Sequence, residues 1–334
     1  MSFCRLCQQD RPLRDSHIIP RFVSKWLLES SPTGGLRDLA TPNRRRQDTP
    51  TMPFLCSNCE QVFSRWEAPF AARLFLPLHR NEGSSFAYDS WGLKFAASIV
   101  WRVLVESLEH GPGRFTSEQS RSASVAAQAW RHFILGTARH PGRFEVHAIP
   151  LDTVSGNVGS DVSPFLNRYL LRAVDAEVVA GATEVLVYSK LCRILLVGHV
   201  VVESQPRWRA SRLSVAQGAL GRDRAYYLPY GLQQYMNQRA MRCAEALASQ
   251  SANQKVKLRA RLEAELPRLA GSEVFRAMRA DVARSGSDAF AVTCDLSDSP
   301  AGIADKDTIE PHDAEPRAAT ERKMGQGKGT LNAG

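Results

Sequence analysis

The chain has 334 residues, 43% hydrophobic and 23% charged, which are the proportions of a soluble globular protein long enough for two compact domains. No apolar run reaches the roughly 18 residues a membrane-spanning helix needs; the nearest, residues 95–105, is interrupted by Arg102. The N-terminus lacks the apolar core and small-residue cleavage site of a secretory signal, so a cytoplasmic protein with reduced thiols is expected. The net charge is +9, and residues 295–334 carry −3 of it, leaving +12 on the rest. That balance either reflects an Arg-rich composition or suits a polyanionic partner, whose phosphates release counterions on binding.

In chain order, residues 1–82 are irregular, rich in Arg and Pro, and hold four of the seven cysteines. Residues 86–140 are expected to be helical. Leu93, Ala96, Ala97, Val100, Leu104 and Leu108 recur at helical spacing, and a second helix over 117–138 is expected with Ser117 as its N-cap. Gly111, Pro112 and Gly113 separate the two. From residue 143 the period changes. Phe144, Val146 and Ala148 alternate with Glu145 and His147, which predicts a half-buried strand. Residues 169–174, 176–179, 185–188 and 193–202 are predicted as further strands of a mainly antiparallel sheet, with Cys192 in the core. Helices are expected over 233–249, which carries Cys243, and over 254–266 and 273–285. Residues 295–334 have almost no large apolar side chains and are expected to be disordered. His110, His132, His140, His147 and His199 look dispersed, with no acid at ligand spacing.

The chemistry concentrates near the N-terminus. Cys4-x-x-Cys7 and Cys56-x-x-Cys59 are two knuckles separated by 48 residues. In a reducing compartment such pairs bind metal, and four thiolates make a closed tetrahedral zinc site. Phe63, Trp66 and Phe70 follow at helical spacing, which puts Cys59 at a helix start. Arg44, Arg45 and Arg46 lie between the knuckles and either grip phosphates or form a solvated loop.

Cys4-Arg5-Leu6-Cys7, then Ser16-His17-Ile18-Ile19-Pro20, then Leu55-Cys56-Ser57-Asn58-Cys59-Glu60 resembles the HNH (ββα-metal, treble-clef) endonuclease family with a structural zinc, over residues 3–67. The resemblance implies phosphodiester hydrolysis of nucleic acid, DNA foremost, in bacterial defence or a mobile element. It implies structural Zn2+ on the four cysteines and Mg2+ or another divalent cation at the catalytic site. His17 matches the general base and Glu60 the closing metal ligand, while Ser16 and Thr51 stand where the family has an acid and an Asn. His17 either activates water or braces a hairpin, and Glu60 either binds a cation or complements the helix dipole. The alternative function is a noncatalytic, zinc-stabilised module that binds nucleic acid or protein. The expected fold class is α+β: a treble-clef zinc module at 1–82, then a mixed helical and antiparallel-sheet domain at 86–290.

Overall fold

In the N-terminal third, a computed structural model shows the strand β1 (Leu13–His17), the helix α1 (Arg21–Glu29), the short strands β2 (Leu36–Arg37) and β3 (Arg45–Arg46), and β4 (Thr51–Cys56). The helix α2 (Ser57–Phe70) follows and passes through a π-helical segment, Ala71–Phe75, into α3 (Leu76–His79). The structure describes residues 3–111, 115–155, 161–203 and 205–291. The tail at 295–334, expected to be disordered, and Cys294 lie outside the described residues.

Two-stranded pairing joins β1 to β4 antiparallel, with a register shift at Arg14/Asp15 that leaves His17 opposite Thr51. β2 pairs with β3 in a second small ribbon. Phe54 from β4 and Phe63 from α2 meet Trp101 edge to face, at 5.6 and 6.2 Å between ring centroids.

Trp101 belongs to α4 (Trp91–His110), which follows the strand β5 (Ser85–Tyr88). α4 is buried on almost every side, as expected of a helix that is apolar all round. It packs against α2, against α5 (Ser117–Leu135) and against the main sheet. The N-cap of α5 is Thr116 rather than Ser117. Its Oγ1 accepts the Gln119 N–H at 3.2 Å, and the Gln119 side chain accepts the Thr116 N–H at 3.0 Å, completing a capping box.

The main sheet contains β6 (Val146–Pro150), β7 (Val174–Ala180), β8 (Val185–Leu191) and β9 (Ile194–Val201) in the spatial order β6-β9-β8-β7, antiparallel throughout. Before β7 the chain makes a helix, α6 (Leu166–Arg172), where residues 169–174 were expected as a strand. Tyr169-Leu170-Leu171 is an apolar run too short to declare its period. Arg168, buried against Asp281 at 2.8 Å, fixes it as a helix. Cys192 is fully buried as expected, but in the tight turn between β8 and β9, at φ +55°.

The strand β10 (Gly218–Gly221) pairs with β5. Then come α7 (Tyr230–Ala248), α8 (Ala252–Ala264), α9 (Leu266–Ala270), α10 (Glu273–Ser285) and α11 (Asp288–Ala291). Successive side chains of a strand point to opposite faces. Val146, Ala148, Val187, Leu196 and Val200 accordingly join the core with α4 and α5, while Ile149, Leu186, Tyr188, Leu195 and Val197 join a second cluster with Leu232, Met236 and Ala240 of α7. The sheet is therefore covered on both faces. The strand expected at 144–148 as half-buried runs over Val146–Pro150 and is buried on both faces, His147 included.

The class is α+β as expected. All described residues fall in one compact unit, and one core cluster runs from Cys4 to Leu220. The aromatic side chains of residues 54–70 have no core of their own and bury themselves on α4.

Candidate metal centre and the histidine of β1

The first knuckle is a tight turn. Gln8 donates its N–H to the Cys4 carbonyl at 2.8 Å and adopts φ +60°, while the Cys4 N–H reaches the Gln9 carbonyl at 3.0 Å. The second knuckle ends β4 and opens α2. Sulfur atoms of Cys4, Cys7, Cys56 and Cys59 all lie within 4.8 Å of one another, and the four residues are positioned to bind a metal ion. Cys7 Sγ and Cys56 Sγ are 3.9 Å apart. A tetrahedral ion with metal–sulfur bonds of about 2.3 Å requires about 3.8 Å between sulfurs, so the spacing fits. Cys4, Cys56 and Cys59 are buried and Cys7 partly so, with the Cys56 N–H directed at Cys4 Sγ at 3.3 Å.

The electrostatics of the thiols follow from this crowding. Burial pushes the Cys7 and Cys59 thiols up, and neighbouring thiols add to the rise. Burial also acts on Cys56, but the Cys59 N–H and the surrounding thiols outweigh it and bring Cys56 down to about 7.

His17 ends β1. Its Nε2 is 3.0 Å from Asp48 Oδ2, which spacing in the sequence did not foretell, since 31 residues separate them. Asp48 is held in turn by Ser24 Oγ at 2.5 Å, the Thr49 N–H at 2.8 Å and Arg21 Nε at 3.3 Å. Burial raises the Asp48 carboxyl, but the hydrogen bonds from Ser24, His17 and Thr49 prevail and hold it below its ordinary value. The His17 carbonyl accepts from Arg102 Nη1 at 2.8 Å. Arg102, the residue that interrupts the apolar run of α4, also reaches Glu67 Oε1 at 3.0 Å and lies over the Phe63 ring. Glu67 is thus the partner of a buried cation.

The other expected site residues separate. Ser16 is buried; its Oγ accepts the Leu55 N–H at 3.1 Å and donates to the Arg14 carbonyl at 3.3 Å. Glu60 sits in the first turn of α2 with Oε1 buried and unpartnered. Among the described residues, His17 and Glu60 belong to no group of three donors within one ion's reach. Beside His17, Asp48 is thus at most one further protein donor, and the described residues build no closed cation site there. Of the arginines, Arg44 and Arg45 are exposed, but Arg45 Nη2 donates to the Gly34 carbonyl and Arg46 pairs with Asp38 at 3.0 Å. Two members of that trio serve the loop's own structure.

The histidines are less dispersed than the sequence suggests. The His147 and His199 rings lie 4.1 Å apart between centroids, tilted by 30°, with Glu145 beside them. Compared with family models, with curated proteins and with solved structures, the chain matches none. Among the described residues no helix is long and apolar enough to cross a membrane.

Proposed function

We propose that residues 3–67 are an HNH-like module of treble-clef type, framed by a structural Zn2+ on Cys4, Cys7, Cys56 and Cys59, and that the protein hydrolyses phosphodiester bonds of nucleic acid. The order of knuckle, paired strands, knuckle and helix supports the framework, and an all-sulfur donor set suits zinc. The observation that carries the activity is the His17–Asp48 pair. A carboxylate accepting the Nε2–H leaves Nδ1 with its lone pair, and among the described residues Nδ1 has no hydrogen-bond partner. Nδ1 then takes the proton of an attacking water, and Asp48 stabilises the imidazolium. The closed zinc site supplies rigidity and no chemistry.

Purified protein should nick plasmid DNA with Mg2+, Mn2+ or Ni2+, and His17→Ala should lower the rate by about 10²-fold or more. Absence of cleavage with all three ions defeats the catalytic reading.

A second reading has its own observation. Ser16, at the family's metal-binding position, is turned inward and spends its hydroxyl on the strand backbone. This favours a noncatalytic module whose basic surface binds nucleic acid. In that case binding is salt-sensitive, survives His17→Ala and is lost with Cys56→Ser. Salt-independent binding, or none, would count against it.

A further inference from the structure

Strand alternation puts Glu145 and His147 on one face of the sheet, two residues apart. The β6–β9 register pairs Val146 with Gly198, and the His199 N–H bonds the Glu145 carbonyl at 2.9 Å, so His199 stands directly across from Glu145. Ligand atoms of all three side chains lie within 4.8 Å of one another. His147 is 0% and His199 1% exposed. Three of the four ring nitrogens, His147 Nε2 and both of His199, are buried with no hydrogen-bond partner. Buried polar atoms are almost always paired, so three bare nitrogens in one place point to a missing partner.

The protonation pattern identifies what is missing. Ser211 Oγ donates to the Trp208 carbonyl at 2.9 Å, and a carbonyl only accepts. Ser211 therefore accepts from His147 Nδ1, 3.1 Å away, which must carry the hydrogen. The other nitrogen, Nε2, is then a bare acceptor. It lies 3.5 Å from Glu145 Oε2, another acceptor. Two acceptors at that distance call for a cation between them; a proton would serve only that pair, whereas a metal ion would also take a nitrogen of His199, bare beside them. The rest of the arrangement matches a ligand set: Ser211 fixes the tautomer of His147, and Arg212 holds the other Glu145 oxygen at 2.8 Å, as outer partners of metal ligands do.

We propose that Glu145, His147 and His199 form a second metal site that takes a divalent first-row transition cation through two imidazole nitrogens and one carboxylate. Zn2+ is the first candidate, since nitrogen and oxygen donors in this ratio suit it. Trp208 packs against both rings, at 5.2 and 4.8 Å between centroids, and closes the site over the sheet. The ion ties β6 to β9 and lies in a different part of the fold from the cysteines.

The test is metal content and coordination of the full chain after saturation with Zn2+ and removal of loose ions. Two equivalents are expected per chain. X-ray absorption should show nitrogen or oxygen neighbours at about 2.0–2.1 Å beside sulfur at about 2.3 Å. Glu145→Gln and His199→Leu should each fall to one equivalent with a sulfur-only shell, whereas Cys56→Ser should lose the sulfur shell and keep the other. A single equivalent with only sulfur neighbours in the wild-type chain overturns the proposal, and that measurement stands even if a variant fails to fold. A folded His199→Leu chain that keeps its second ion overturns it as well.

Discussion

In residues 3–82, four sulfurs and two short strand pairs carry the local structure, and the aromatic side chains are lent to a helix elsewhere in the chain. In the β6–β9 sheet, apolar side chains on both faces carry it, and the few buried polar groups include ring nitrogens that have no hydrogen-bond partner. The two regions also gather ligands differently. The cysteines come in pairs three residues apart, so each knuckle is a local turn. The donors of the sheet come together through strand register across more than fifty residues. Short-range chemistry writes itself into the sequence as spacing, whereas register-built chemistry becomes visible only when the strands are paired.

The widest test of this contrast is removal of the ion that the four cysteines are positioned to bind. Structural zinc in small modules is worth on the order of 10–16 kcal/mol. Chelation, or Cys56→Ser, should abolish amide protection across residues 3–10 and 51–63 while the amides of β6–β9 keep theirs. Hydrogen exchange reads this directly. Loss of protection in the sheet at the same chelator concentration would mean that the cysteine cluster organises the whole core, and the contrast between the regions would collapse.

The joint between the regions comes next. Arg102 on α4 holds the His17 carbonyl, Glu67 and the Phe63 ring. Arg102→Met keeps most of the volume but leaves Glu67 and the His17 carbonyl without their partner. A loss of about 3 kcal/mol in denaturant unfolding is expected, as for removal of one member of a buried ion pair. If the proposed activity holds, nicking should fall with it, because His17 loses its anchor. Full activity with lowered stability would show that Asp48 alone positions the imidazole.

Within the sheet, Gly198 lies opposite Val146 and next to His199. A Cβ there would meet Trp130 Cη2 at 2.8 Å and Val100 Cβ at 3.0 Å. Gly198→Ala should cost about 2 kcal/mol through overpacking. It should also weaken the proposed ion site, since β9 must shift to accommodate the methyl. Unchanged stability would mean that α4 and α5 yield more easily than their packing indicates.

How much was legible follows the same division. The knuckles, the helix after Cys56, and the helix at Glu273–Ser285 were readable because caps, spacing and period act over a few residues. His17 was singled out by its neighbours, but its partner Asp48 was not, since it lies 31 positions further on, beyond α1 and the β2–β3 ribbon. Ser16 could be named as a departure from the family pattern, yet only pairing with Leu55 reveals that it faces inward. Glu145 and His147 sit two apart, the spacing of same-face strand neighbours, and that signal was available. His199 was not, because nothing local ties it to Glu145. The helix at Leu166–Arg172 was misread because its apolar run fits either period, and its ion pair with Asp281 lies more than a hundred residues away.

The smallest effect tests local legibility by itself. The sequence contains Thr116 and Gln119 at capping-box spacing, one residue ahead of the Ser117 cap first expected. Ser117 has no such partner, since the residue three beyond it is Ser120. Thr116→Ala removes the acceptor of the Gln119 N–H and should cost about 1 kcal/mol. Ser117→Ala, inside the first turn, should stay within about 0.5 kcal/mol of wild type. Gln119 also donates to the Gly181 carbonyl at 2.9 Å, at the turn between β7 and β8. Loss of the cap should therefore loosen that turn, seen as faster exchange at Gly181 and its neighbours, while residues 3–67 remain unaffected. Equal costs for the two substitutions would return the cap to Ser117, and a response in the cysteine region would show that α5 couples the two regions more tightly than their separate chemistries imply.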